Sequence, residues 1–316
     1  MAKKPKRTKG MRWGRKREDK RNWSSYNEEL VVRGEFILDL DWVKSWNLEL
    51  AIMNENKRGA PYKFPESLIQ LQAVWNQWIG LRQIEGITRQ LVAMAKIPEF
   101  NDYSTVSRRI KKIDLDFELP KQGFCSVSTD GTGIKMHNAG EYRHIKYGGK
   151  KRRWVTVKLS ANPLTKDLLD VTVDMDGEGD SEPEAAMQHM QNLIDNGIEV
   201  DKFWGDGAFD VISLFNFLEK NSIESAIPPR DNASKNSNGS MRRIREVFEY
   251  STKTWDDWAR DKQYGKRWLG TEGIFSSVKI IFGENTKAKT PKTACIEAKR
   301  KFWAYERMRK YAQAKS

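Results

Sequence analysis

The stretch Phe124-Cys-Ser-Val-Ser-Thr-Asp-Gly-Thr-Gly133 decides the fold, because it is a short β-rich run that ends on an acid. A second run, Lys202-Phe-Trp-Gly-Asp-Gly-Ala208, repeats the arrangement with its acid 76 residues further on. Each Asp-Gly pair alone is an ordinary turn signal. Two of them at the ends of β-runs point instead to carboxylates gathered from distant parts of the chain. A third acid, Glu272, lies in Arg267-Trp-Leu-Gly-Thr-Glu-Gly-Ile-Phe-Ser-Ser-Val-Lys279, which reads as a helix. At roughly 100° per residue, Glu272, Ser276 and Lys279 share one face, opposite Ile274, Val278 and Ile281. An ordinary amphipathic helix has the same pattern, so the weight rests on the three acids together. Hard divalent cations take such carboxylates as ligands, and a pair of them acts on phosphodiesters.

Outward from these runs, the period is β from residue 124. Phe124–Thr129, Trp154–Ser160 and Leu168–Val173 read as three strands, with Gly148-Gly149 and Asn162-Pro163 as turns of an antiparallel meander. A helix follows over Glu182–Asn196, with Ala185, Ala186, Met190, Leu193 and Ile194 inward. A strand at Lys202–Gly205, a helix at Asp210–Lys220 and a strand at Ser225–Ile227 complete the series before Pro228-Pro229-Arg230. The order β-β-β-α-β-α-β is that of the ribonuclease H-like fold, an α/β mixed five-stranded sheet flanked by helices. Crossover helices join parallel strands, so the first, fourth and fifth strands become parallel neighbours. Asp130 and Asp206 then leave adjacent strand ends, the usual place for a site in an open α/β sheet.

Residues 26–118 read as helical. Phe36, Ile37, Leu40, Val43 and Trp46 recur at helical spacing, Pro65-Glu66 opens a second helix through Leu68, Leu71, Val74, Trp75 and Trp78, and Gly80 precedes a third over Leu81–Met94. A short helix starts near Ser104, with its hydroxyl as cap, and runs to Ile113. It turns Val106, Ile110 and Ile113 inward and Ser107, Arg108, Lys111 and Lys112 outward. Such a set resembles a helix-turn-helix with a DNA-reading last helix, although any three-helix unit with a basic surface helix would look alike.

Net charge is +13 over 316 residues, with a pI near 9.5, as a nucleic-acid binder requires. Residues 1–22 alone carry eleven Lys/Arg against Glu18 and Asp19. Residues 1–25 read as a flexible basic arm in which Arg12 and Arg15 can meet phosphates and Trp13 a base. Two cysteines and three histidines offer no disulfide framework and no zinc spacing. No apolar run approaches membrane-spanning length and the N-terminus is too polar for a signal peptide, so a cytoplasmic, nucleoid-associated protein is expected. The expected organisation is 1–25 arm, 26–118 helical DNA-binding domain and 124–316 catalytic domain, with a polar loop and an insertion or late helical segment near 231–262.

With these blocks in view, the chain resembles the DDE insertion-sequence transposases, in the branch with the signature Tyr-x2-Arg-x3-Glu-x6-Lys. Tyr264 and Arg267 supply the first pair, Glu272 and Lys279 the second. Tyr26-Asn-Glu-Glu-Leu-Val-Val-Arg-Gly-Glu35, Arg82-Gln-Ile-Glu-Gly86 and Asp102-Tyr-Ser-Thr-Val-Ser-Arg-Arg-Ile110 look like the N-terminal region of related, archaeal-type elements. The resemblance implies that Asp130, Asp206 and Glu272 hold two Mg²⁺ or Mn²⁺ ions. It further implies that the enzyme cuts inverted-repeat DNA ends by hydrolysis and joins the 3′-hydroxyls to target DNA, as a DNA-bound homodimer. Lys279, Tyr264 and Arg267 would hold phosphates, with Arg230 a further candidate. One departure stands out: four residues separate Arg267 from Glu272 where the family has three. Either the helix breaks near Gly270, or Arg267 has lost the family role. Two other readings remain: a decayed or domesticated DNA-binding protein, and a phosphotransferase of the actin and sugar-kinase fold, suggested by Asp130-Gly131-Thr132.

Overall fold

The computed structural model describes residues 22–120, 123–136, 146, 153–234 and 239–315, with the backbone alone of 11–12 and 15–16. Those last two pairs form a two-rung antiparallel ladder, β1 (Met11–Arg12) with β2 (Arg15–Lys16). The side chains of Arg12 and Arg15, and Trp13 altogether, lie outside the described residues.

Five helices follow: α1 (Trp23–Glu35), α2 (Trp46–Asn54), α3 (Glu66–Trp75), α4 (Leu81–Ala93) and α5 (Tyr103–Arg109). Asn22 caps α1 by accepting from the Ser25 N–H at 3.2 Å. The apolar spacing from Phe36 to Trp46 predicts one helix, but the chain there forms two short 3₁₀ turns, Phe36–Leu38 and Asp41–Ser45. Asp39 is the cause. Its carboxylate accepts the Asp41 N–H at 2.9 Å and its carbonyl accepts Trp42 Nε1 at 3.0 Å, local bonds that compete with a helical ladder. The cap of α5 is Asp102 rather than Ser104: it accepts from the Ser104 and Thr105 N–H groups at 2.8 and 3.0 Å. The helix also stops at Arg109, four residues short of the expected end.

The sheet comprises β3 (Phe124–Met136), β4 (Trp154–Ala161), β5 (Leu168–Met175), β6 (Glu199–Trp204), β7 (Glu224–Ala226) and β8 (Asn285–Thr286). Its order is β5-β4-β3-β6-β7, the first three antiparallel and the last three parallel, with β8 joining the far end of β3 as a sixth strand beyond the five expected. This mixed sheet flanked by helices, with a helical region before it, is a ribonuclease H-like architecture. Strand β3 is longer than its sequence suggests. Asp130-Gly131 makes no turn but continues in register with β4 as far as Lys135 opposite Trp154. On the other edge, pairing with β6 ends at Ser128 opposite Trp204, and β8 pairs only from Lys135. Between those points no strand among the described residues lies beside that edge of β3. That notch receives Asp130.

Helices cover both faces. On one, α6 (Glu182–Asp195) and α7 (Ile212–Lys220) enclose a core with Cys125, Val127, Phe203 and Phe209. On the other, α11 (Glu272–Phe282) and the long α12 (Pro291–Lys315) share one core with α3, α5 and the inward residues of β3 and β4. The helical region and the sheet thus bury their apolar faces together. The turn after α3 also grips the end of α11, with Trp78 Nε1 donating to the Ile281 carbonyl at 2.9 Å. Lys301 Nζ, buried, donates to the Phe282 carbonyl at 2.6 Å and closes the same helix end. Residues 241–261 form α8 (Met241–Thr252) and α9 (Trp255–Asp261), packed through Trp258, Trp255 and Tyr250 onto Trp204 and Tyr264. Among the described residues no helix is long and apolar enough to cross a membrane.

Helix α6 is fixed to the sheet by a buried imidazole. His189 Nδ1 meets Ser160 Oγ at 2.8 Å and its Nε2 meets Thr172 Oγ1 at 2.7 Å, while Ser160 Oγ also bonds Thr129 Oγ1 at 2.7 Å. Burial lowers the pKa of His189, against Asp170 and with Lys299 and Lys158. A lowered histidine pKa gives stability that is complete above the unfolded value of 6.5 and lost as pH falls below it. Denaturant titrations should therefore show stability dropping below that pH, by at most about 1.4 kcal/mol per unit. His189→Gln should flatten the drop; an unchanged slope would show that His189 takes no part.

Candidate active site

Asp130 and Asp206 stand side by side because β3 and β6 are parallel neighbours. Asp206 lies two residues beyond the last paired position, Trp204, just as Asp130 lies two beyond Ser128. Asp206 caps the 3₁₀ turn Gly207–Phe209, its carboxylate accepting the Ala208 N–H at 2.7 Å. The turn itself is tied down by Arg230, whose Nε and Nη2 donate to the Gly207 and Ala208 carbonyls at 3.0 and 2.9 Å. Asp210, buried, anchors the same segment: it accepts the Arg230 N–H at 2.9 Å and pairs with Arg243 at 2.6 Å.

Glu272 opens α11, and the spacing irregularity before it has a structural answer. Arg267–Gly270 forms a separate single helical turn, α10, and Thr271 breaks the run at φ −124°, ψ −62°. A continuous helix would turn a residue five positions earlier well away from the glutamate. The break brings it back. Arg267 Nη1 donates to Asp130 Oδ2 at 3.0 Å and Nη2 to Glu272 Oε1 at 3.1 Å, so one guanidinium spans two acids. Gly270 lets this turn approach the sheet: a Cβ there would sit 3.0 Å from Pro163 Cβ and 3.2 Å from Ser128 Cβ.

Electrostatics follow from this placement. Burial pushes the Asp130 pKa up, and the nearby Asp206 adds to the rise, while Arg267 opposes it without cancelling it. For Arg267, burial favours the neutral form, but Tyr264, Asp130 and Glu272 outweigh it and raise the pKa. Tyr264 is buried against the guanidinium, and burial lifts its hydroxyl to about 12. Tyr264 and Arg267 therefore face inward as they stand, at 5 % and 7 % exposure. Lys279 differs. With Glu272, Ser276 and Glu284 it lines a surface groove of about 380 Å³ along α11.

On the helical region, Arg108, Lys111 and Lys112 are exposed on α5 and the turn after it, with Ser107 half-buried. Arg108 donates to the Thr105 hydroxyl at 3.2 Å.

One acid escaped the sequence reading. Glu182, the first residue of α6, lies against Gly131, and its pKa is raised by burial and then by Asp130 and Asp206. The only available signal was Ser181-Glu-Pro-Glu184, which is read as a helix start: Ser181 and Glu184 do form a capping box. Glutamates in a first turn are common enough to hide a second role.

Among the described residues, no three acidic, histidine or cysteine side chains converge closely enough to enclose an ion as they stand. The donor chemistry nevertheless fits a hard divalent cation. Asp130, Asp206 and Glu272 offer only carboxylate oxygens, and their mutual repulsion calls for positive charge. Arg267 already supplies part of it.

A family model described as Transposase DDE domain matches residues 122–306, which includes all three acids. A second model of the same description matches residues 31–139.

Proposed function

The chain belongs to the family of transposase DDE domains, and from that premise we propose a specific reaction for it. It binds the inverted-repeat ends of its own element, cuts their phosphodiesters with water, and joins the freed 3′-hydroxyls to target DNA. The observation that carries this reading is the meeting of Asp130 and Asp206 on adjacent parallel strands with Glu272 linked to Asp130 through Arg267.

Asp130, Asp206 and Glu272 would hold two Mg²⁺ or Mn²⁺ ions, which would supply the positive charge that an in-line displacement at phosphorus needs. The chain's own groups prepare that site. Arg267 fixes Asp130 and Glu272 in one orientation, with Tyr264 packed behind it. The Ala208 N–H orients Asp206, and Arg230 steadies the turn that carries it. Lys279, on the groove beside Glu272, would take a DNA phosphate. Ser107, Arg108, Lys111 and Lys112 would meet the inverted repeat, and Arg12 and Arg15 would add salt-sensitive phosphate contacts. On this reading residues 1–25 are a DNA-contacting arm, 26–118 bind the repeat and 124–316 carry the chemistry, within the Tyr-x2-Arg-x3-Glu-x6-Lys branch. Two ends must be brought together, so a homodimer forms on the DNA.

The test uses labelled duplexes from the inverted repeats flanking the gene. With Mg²⁺, nicking that exposes a 3′-hydroxyl at the repeat end, followed by joining to a second duplex, is expected. Binding without cutting in either Mg²⁺ or Mn²⁺ would leave a DNA-binding protein only. ATP turnover without DNA would point to the kinase fold's chemistry instead.

A further inference from the structure

We propose that Glu182 is a fourth carboxylate of the active site, a cation-holding residue that reaches the notch from the opposite face of the sheet, and that residue 131 is glycine to admit it. The inference rests on reading this site as a divalent-cation centre.

Side chains alternate along a strand. Asp130 faces the α11 side with Arg267 and Glu272, and position 131 faces the α6 side. A Cβ at Gly131 would lie 1.9 Å from Glu182 Oε1, 2.8 Å from its Cδ and 3.4 Å from its Cγ. The carboxylate therefore rests directly on the β3 backbone next to Asp130. It enters between the last pair of β3 with β6 and its first with β8, where no described strand lies beside it. The position is built, not incidental: Ser181 caps α6, Glu184 completes the box, and Pro183 is buried beneath the first turn.

What Glu182 lacks is a direct partner: Lys158 attracts it from beyond ion-pair distance and is itself held by Asp174 at 2.8 Å. Among the described residues it has no hydrogen bond and no ion pair, unlike Glu184, which is held by Ser181 at 2.7 Å, or Asp174, held by Lys158 at 2.8 Å. A half-buried carboxylate facing two further acids is unfavourable unless a cation neutralises it. Arg267 serves Asp130 and Glu272 on one face, and the other has only Lys158, already paired with Asp174. Glu182 borders a groove of about 420 Å³ with Gly131, Thr132, Trp154 and Asp176, which leaves that face open to an arriving ion.

Gly131 makes the inference testable without touching the acid. The atoms that a methyl at 131 would meet are the far end of a flexible side chain, so Gly131→Ala should fold and push the Glu182 carboxylate away. Calorimetric titration of the full chain with Mn²⁺ should show Glu182→Gln weakening affinity roughly 10- to 100-fold. Gly131→Ala should weaken it similarly, and the double variant should be no weaker than either alone. In EDTA, Glu182→Gln should melt no lower than the wild type, since a repelled charge has been removed. Wild-type affinity in Glu182→Gln, or full additivity of the two substitutions, would overturn the proposal. Asp130→Asn separates the two readings. If it abolishes binding while Glu182→Gln does not, only the role of Glu182 fails; if the wild type takes up no Mn²⁺, both fail.

Discussion

Asp130→Asn, Asp206→Asn and Glu272→Gln are each expected to lower the rate of DNA-end cleavage by about a thousand-fold or more, with affinity for the inverted repeat retained. The size follows from what a carboxylate does at such a centre. The charge stabilisation at stake is several kcal/mol, and each 1.36 kcal/mol is roughly a factor of ten in rate. Amide isosteres keep the shape, so Asp130 can still accept from Arg267 and Asp206 can still cap its turn. Single-turnover cleavage of a labelled repeat, beside a gel-shift titration of the same duplex, separates chemistry from binding. Loss of binding in step with cleavage would mean that these acids act through the fold; undiminished cleavage in any one variant would remove that residue from the site.

Arg267→Ala is expected to destabilise the protein by about 2–4 kcal/mol in EDTA, a fall in Tm on the order of 3–6 °C. Removing one partner of a buried pair leaves the other charge uncompensated. Here two acids lose their counter-ion, one largely buried and the other about a third exposed. The exposed share places the estimate below the full cost of a buried pair. With Arg267 gone, the Asp130 pKa should rise further, because the guanidinium is the main influence holding it down. Arg267→Lys should fall between, since an ammonium cannot reach both carboxylates as a fork does. Mn²⁺ should restore part of the lost Tm in Arg267→Ala. Thermal melts in EDTA and in Mn²⁺ measure both effects; an unchanged Tm in EDTA would show that the two ion pairs carry no net stability.

Much of this architecture was legible from period alone. The β-β-β-α-β-α-β order and the inward set Ala185, Ala186, Met190 and Leu193 follow from alternation and helical spacing, which report burial directly. Errors cluster where a local polar group competes. Asp39 and Asp102 redirected backbone bonds at helix starts, and no hydrophobic pattern records that. Asp130 reads as the end of its strand because composition cannot reveal that β4 holds the strand in register past it. The same limit concealed Glu182. It comes within reach of Asp130 only through a crossover, and its sequence signal is that of a cap. For Arg267, counting along a helix exposed the anomaly, and only the break at Thr271 explains how five positions can still bring two side chains together.

Carboxylates from two strands and a helix are proposed to form one divalent-cation centre. Titrating the full chain with Mn²⁺ while following free Mn²⁺ by electron paramagnetic resonance tests it most directly. Two ions should bind per chain, with binding lost in the Asp130→Asn, Asp206→Asn double variant. Uptake of no Mn²⁺ by the wild type, or undiminished uptake by the double variant, would contradict it.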